Sequence, residues 1–291
     1  MTLPALRLLE ASGFTPMLTG KRWAEDLMSG MSWRFDPIEG HVTEDLQRIR
    51  YISNHLGPRP LGLLFPNSFS SALLFSIGRI RNAGFPTDGR RLLLEKVVDE
   101  VERFFRLAHG AIKAWGCTPA WDEVPEELGM KLLARHEAAA RNLMAQYNIP
   151  EKFVLLAPIA RGLHHGKEKQ WKHFNKLCAP LREKGFEPII FPSVREEEAN
   201  KKACPDATIL PPTTLGNYAA LAKRAQLVIA NDSGISHVAA AVGTKQITLL
   251  GVTDPARTRP WNQHAICLGN SVEGWPTIEA VLNSIDQHLA S

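Results

Sequence analysis

At 291 residues the chain is longer than one ordinary domain needs, and two domains of roughly 150 residues are expected. Hydrophobic residues at 44% and charged residues at 22% are the proportions of an ordinary soluble globular protein with a large core. The net charge of +4 comes from charges of both signs with no long basic run, so no nucleic-acid partner is expected.

The first half reads less regularly than the second. A helix over residues 3–11 is followed by a short strand at 15–19, a helix at 22–28 and an apolar strand at 61–65, which ends in the turn Pro66-Asn67-Ser68. Helices are expected near 69–80, 96–115 and 130–147. The chain opens directly on a helix, whereas a doubly wound domain normally begins with a strand in the middle of its sheet. That strand and the βα loop after it are expected to be missing.

Tyr147-Asn148-Ile149-Pro150-Glu151 reads as the linker, because the residue before a proline avoids helix. Domains are therefore drawn at 1–150 and 151–291. Beyond the linker, strands at 153–157, 187–191, 207–210 and 227–230 alternate with helices. The helix at 171–184 carries Pro180 as a flaw, a charged helix follows Glu196, and Thr214 or its neighbour Thr213 can cap the next. Gly243 ends the helix after the strand at 227–230. This alternation indicates βαβ units and a parallel α/β sheet in two Rossmann-like halves enclosing a cleft.

The segment 227–255 carries the strongest chemical signal. Asn231-Asp232-Ser233-Gly234 turns from an apolar strand into a helix, whose first free N–H groups and positive dipole end suit a phosphate. His237 follows one turn inside, and a second polar turn, Gly251-Val252-Thr253-Asp254-Pro255, ends the neighbouring strand. A plain helix cap with a buried histidine would give the first pattern alone; the second turn favours a ligand site. Lys169 follows a basic, glycine-containing loop, 161–169, whose spacing fails the Walker pattern, so an NTPase is rejected. It could neutralise a leaving diphosphate or simply be solvated. Glu196, Glu197 and Glu198 could accept from a ribose, although acidic residues also suit any helix start. Arg79, Arg81, Arg90 and Arg91 could meet an anionic acceptor or form an exposed basic loop. The four cysteines form no CxxC pair, so no metal site or disulfide framework is expected and a reducing cytoplasm fits. With no run of about 18 apolar residues, any membrane contact is expected to be peripheral.

Asn231-Asp-Ser-Gly-Ile-Ser-His-Val-Ala-Ala-Ala241 followed by Leu250-Gly-Val-Thr-Asp-Pro255 resembles the signature of glycosyltransferase family 9, the ADP-heptose:lipopolysaccharide heptosyltransferases. Leu64-Phe-Pro-Asn-Ser-Phe-Ser-Ser-Ala-Leu73 is similar to the heptosyltransferase II branch, with Gly84, Arg90 and Lys169-Gln-Trp171 in order. The resemblance implies a GT-B fold and an inverting, metal-independent transfer of heptose that needs no cofactor. Its donor would be ADP-heptose, and its acceptor a Kdo or heptose unit on lipid A at the inner membrane's cytoplasmic face of a Gram-negative cell.

By the same resemblance, Asp232, Ser233, Gly234, His237, Thr253 and Asp254 would surround the diphosphate and sugar, Lys169 would stabilise departing ADP, and Glu196 with Thr214 would lie near adenosine. Asn67, Ser68, Arg81 and Arg90 would serve the acceptor, and the last helix, 277–289, could pack back on the N-terminal domain. Val252 stands where the family has proline. The family's general base is an aspartate in the loop after its first strand; here Thr2-Leu-Pro-Ala-Leu6 matches the helix that follows, so the base is expected upstream of Met1. An inactive nucleotide-sugar-binding protein and a transferase for another nucleotide sugar are the alternatives.

Overall fold

A computed structural model describes residues 1–65, 69–85, 96–97 and 103–289, which form two compact units. The first comprises 1–25 and 32–125, the second 26–31 and 126–291. The linker expected at 147–151 thus falls inside the second unit.

In the first unit, α1 (Leu3–Ala11) buries Leu3, Ala5, Leu6, Leu8 and Leu9 and packs on α5 (Arg103–Ala114). The latter presents Phe105, Ala108 and Ile112 at helical spacing, all buried. Strand β1 (Met17–Gly20) leads through α2 (Trp23–Met28) to β2 (Arg34–Pro37), its parallel partner. After α3 (Val42–Leu56), β3 (Leu61–Leu64), α4 (Phe69–Ile77), β4 (Arg81–Gly84) and β5 (Lys96–Val97) give a second parallel sheet in the order β3-β4-β5. The single helix expected from 96 is corrected: Lys96 and Val97 extend the sheet beside Ala83 and Gly84, and the helix begins at Arg103.

Among the described residues no ladder joins β1 to β3. A cavity of about 250 Å³ lies there, walled by Leu18 and Thr19 on one side and Leu61 and Leu63 on the other, with Leu6 and Ile49 from the covering helices. Strand edges left this way carry backbone groups without ladder partners.

Besides residues 26–31, from the end of α2 and the turn after it, the second unit contains α6 (Ala134–Gln146) and β6 (Phe153–Ala157). A small hairpin, β7 (Leu163–His164) and β8 (Lys167–Glu168), precedes a 3₁₀ turn (Phe174–Leu177) and α7 (Cys178–Glu183). The helix expected over 171–184 is thus divided, and Pro180 sits in the first turn of α7, where its missing N–H has no intrahelical partner to lose. Next come β9 (Glu187–Ile190), α8 (Glu197–Ala203), β10 (Thr208–Ile209), α9 (Leu215–Arg224) and β11 (Leu227–Asn231). The unit ends with α10 (Gly234–Ala241), β12 (Gln246–Leu249), α11 (Pro255–Thr258), β13 (Ala265–Leu268) and α12 (Ile278–Leu289).

All six main strands run parallel in the order β10-β9-β6-β11-β12-β13, the doubly wound 3-2-1-4-5-6 arrangement. Burial on both faces explains why β6 reads as a continuous apolar run. Phe153 and Leu155 enter one core with Ala140, Tyr218 and Val238, while Val154 and Leu156 enter the other with Phe174, Leu181 and Ile285. Through Val281 and Ile285, α12 packs into the core of this second unit.

Candidate functional site

Strand order reverses at β6, which leads to β9 on one side and has β11 on the other. Ligands of open α/β sheets bind beyond the carboxyl ends of strands at such a switch point. Asn231, fully buried at the end of β11, ties the two strands together. Its Oδ1 accepts from Trp171 N–H at 2.9 Å and its Nδ2 donates to Pro158 O at 2.6 Å, so the loop after β6 is anchored to β11.

Asp232 and Ser233 come next. Ser233 is extended at the N-cap of α10, yet its hydroxyl makes no capping bond. Ser236 instead donates to Ser233 O at 2.7 Å. Asp232 Oδ2, Ser233 Oγ and Thr253 Oγ1 are buried with no hydrogen-bond partner among the described residues. Unpaired buried polar atoms cost roughly 1–3 kcal/mol each, so three in the turns that follow the neighbouring strands β11 and β12 suit an outside partner. A Cβ added at Gly234 would meet only open space. Lys169, half-buried, donates from Nζ to Asp232 O at 3.2 Å. Burial pushes the His237 imidazole down to about 4, and the Lys169 ammonium acts in the same direction against Asp232, so this ring is neutral at pH 7.

The second turn is set by packing. A Cβ at Gly251 would stand 2.1 Å from the Trp275 ring, so only glycine lets the chain pass here. Asp254 caps α11 by accepting from Ala256 N–H at 2.9 Å, and faces solvent. The Asp254 side chain is thus occupied with its own helix, whereas Thr253 is buried and unpaired.

Beside these turns a cavity of about 70 Å³ opens between the ends of β6 and β9 and the first turns of α9 and α10. Ile190, Phe191, Leu215 and Ile235 give it apolar walls, and Glu196, Asn200, Thr213 and Tyr218 bring polar groups. The buried Tyr218 hydroxyl has no partner among the described residues, and burial pushes its phenol pKa up. Both Glu196 oxygens are held, one by Arg161 Nε at 2.8 Å and one by Ser193 Oγ at 2.6 Å. Thr213 rather than Thr214 faces the cavity; Thr214 caps α9 by accepting from Asn217 N–H.

The structure therefore brings together Lys169, Asp232, Ser233, Gly234, His237 and Thr253, with Glu196 at the adjoining cavity. Asn67, Ser68 and Arg90 lie outside the described residues, and Arg81 opens β4 of the first unit. Sequence reading gave no role to Asn231, Tyr218 or Arg161. The position of Asn231 between an apolar strand and the Asp-Ser-Gly turn was a usable signal for the first. Among the described residues no cluster of His, Cys, Asp or Glu could hold a metal ion, and no helix is long and apolar enough to cross a membrane.

A doubly wound sheet with a polar, phosphate-suited turn at its switch point and a cavity alongside defines an enzyme class that handles nucleotide-linked substrates. The profile of glycosyltransferase family 9 (heptosyltransferase) matches residues 59–284, and the chain belongs to that family of transferases. It is 24% identical over 289 residues to lipopolysaccharide heptosyltransferase 2 of Escherichia coli K12, covering 87% of this chain and 82% of that one. Among solved structures, E. coli ADP-heptose lps heptosyltransferase II aligns with a TM-score of 0.76 at 24% identity, over 99% of this chain and 95% of the other. The E. coli heptosyltransferase WaaC with ADP aligns with a TM-score of 0.74 at 17% identity, with the same coverage. These likenesses bear out the α/β, GT-B fold expected from the sequence.

Proposed function

We propose that the chain moves heptose from ADP-heptose to the inner core of lipopolysaccharide with inversion, working at the cytoplasmic face of the inner membrane without a metal. The observation that carries this reading is the set of unpaired polar atoms at Asp232, Ser233 and Thr253 beside the cavity at Glu196 and Tyr218. The nucleoside end of the donor enters the cavity and extends out of it over the strand ends, with Glu196 and Thr213 at the ribose. The diphosphate meets the first turn of α10, where backbone N–H groups and the helix dipole carry the charge a cation would otherwise supply. Lys169 neutralises the departing ADP, and neutral His237 faces the sugar without adding a second positive charge. The first unit, with Asn67, Ser68, Arg81 and Arg90, serves the acceptor.

Transfer also requires a base for the acceptor hydroxyl. The cavity between β1 and β3 has strand edges for walls and an apolar lining, which suits one extended segment completing a six-stranded sheet in the order already seen in the second unit. Reacting groups of α/β folds sit in loops at strand carboxyl ends, so the base is placed in the loop following such a segment. The test compares ADP binding by calorimetry and heptose transfer to a Kdo-lipid A acceptor, for the 291-residue chain and for one extended upstream in the reading frame. Both are expected to bind ADP, and the extended chain to transfer about 10² to 10⁴ times faster. Absence of ADP binding in both sinks the nucleotide reading; equal rates sink the placement of the base.

A further inference from the structure

Asp26 lies far in sequence from the candidate site, yet it belongs to the second unit and touches the first turn of α9. Its Oδ2 accepts from Gly216 N–H at 2.8 Å, and the Thr214 hydroxyl also hydrogen-bonds to the carboxylate. Its Oδ1 stands 3.1 Å from Nε2 of the buried His136 and 3.2 Å from an Arg135 guanidinium nitrogen. Burial works against ionisation of Asp26, but the bonds from Thr214, Gly216 and His136 outweigh it and hold the carboxyl below its usual range.

Residues 213–216 alternate in what they face. Thr213 and Leu215 line the cavity, while Thr214 and Gly216 are bound to Asp26. The Thr213 hydroxyl is held in turn by Asn217 Nδ2 at 3.1 Å, and Tyr218, one residue on, also lines the cavity. No side chain fits at Gly216: a Cβ would stand 2.6 Å from Asp26 Oδ2 and 2.5 Å from the His136 ring. The carboxylate is thus in direct contact with a backbone whose other side forms the cavity wall.

We infer that Asp26, backed by His136, is a positioning residue for the nucleoside end of the donor site. It fixes the first turn of α9 so that Thr213, Leu215 and Tyr218 present the cavity in its binding shape. A carboxylate suits this task because it accepts from the N–H, the hydroxyl and the imidazole at once, whereas an amide offers one acceptor oxygen. This inference rests on the nucleoside reading of the cavity given above.

The test is Asp26→Asn, compared with wild type for ADP affinity by calorimetry and for donor KM and kcat in the transfer-competent chain. Glu137→Gln serves as control, since Glu137 pairs with Lys223 and Arg224 at the opposite end of α9. The expected result is ADP binding and donor KM weakened about tenfold in Asp26→Asn with kcat within about twofold, and no such change in Glu137→Gln. Should Asp26→Asn not fold, Thr214→Val carries the same test, because it removes one of the donors to Asp26 from an exposed position, and the same loss of ADP affinity is expected. Wild-type ADP affinity in a folded Asp26→Asn protein, or equal losses in the Glu137 control, overturns the positioning role alone. Failure of the wild type to bind ADP overturns the nucleoside reading and this inference with it.

Discussion

The second unit joins its six main strands into one sheet, whereas the first divides five strands, among the described residues, between sheets of two and three. Both halves are built from parallel βαβ units, and among the described residues they differ in whether one ladder runs on across the whole sheet. In the second unit the central strand β6 has a ladder on each side and a core on each face. Between β1 and β3 of the first unit there is a cavity of about 250 Å³. A central strand contributes apolar side chains to two cores and backbone pairs to two neighbours, so its position decides how firmly the rest is held.

Matched truncations sharpen this contrast. Leu155→Ala in β6 removes a fully buried side chain from a close-packed core and is expected to cost about 3 kcal/mol. Leu63→Ala in β3 removes a side chain that already faces the cavity, has fewer contacts to lose, and is expected to cost about 1 kcal/mol. Urea unfolding of both variants measures the difference. Equal costs would mean that the cavity wall is as tightly packed as the complete sheet, and the comparison would collapse.

The next effect is kinetic. Lys169→Ala removes the ammonium beside Asp232 while leaving the second unit's cores untouched, and a decrease of about 10²-fold in kcat is expected with little change in unfolding. Loss of stability equal to that of a core variant would instead make Lys169 a brace for the turn. Gly251→Ala works the other way. The added methyl is driven against the Trp275 ring, so a destabilisation of about 2 kcal/mol is expected, with the thermal midpoint as readout.

How much of this could be read in advance follows from where the determinants lie. The strand, turn and helix around Asp232 were legible because β11 is a short apolar run, the turn residues are characteristic, and Gly243, at φ 77°, stops α10 locally. Capping of α9 by Thr214 was equally local. The strand at Lys96–Val97 was lost in a helical pattern, since two residues carry no period of their own. β13 and α3 were missed as well: the one is four residues of ambiguous apolar run, the other a helix dominated by charged and polar residues. Which of Thr213 and Thr214 faces the cavity could not be read, because the answer depends on Asp26, and the Asp26–Gly216 bond spans 190 residues. The Asp-Ser-Gly turn is written in one segment; the support of the cavity beside it is written in three.

The smallest effect concerns His237. Its imidazole is pushed down to about 4 from an ordinary 6.5, with burial as the main cause. Below pH 6.5 the unfolded chain therefore takes up a proton that the native ring refuses, and stability falls as the pH drops from 6.5 towards 4. Between pH 7 and 5.5 this one group is expected to cost about 1.2 kcal/mol, given about 1.4 kcal/mol per pKa unit. His237→Gln has no such proton to take up, so the gap in thermal midpoint between the two proteins should shift in favour of the variant on acidification. A gap independent of pH over that interval would place the ring in a wetter setting than its burial indicates. It would also return the ring towards its ordinary 6.5, so that mild acidification would add a second positive charge beside the Lys169 ammonium at the turn.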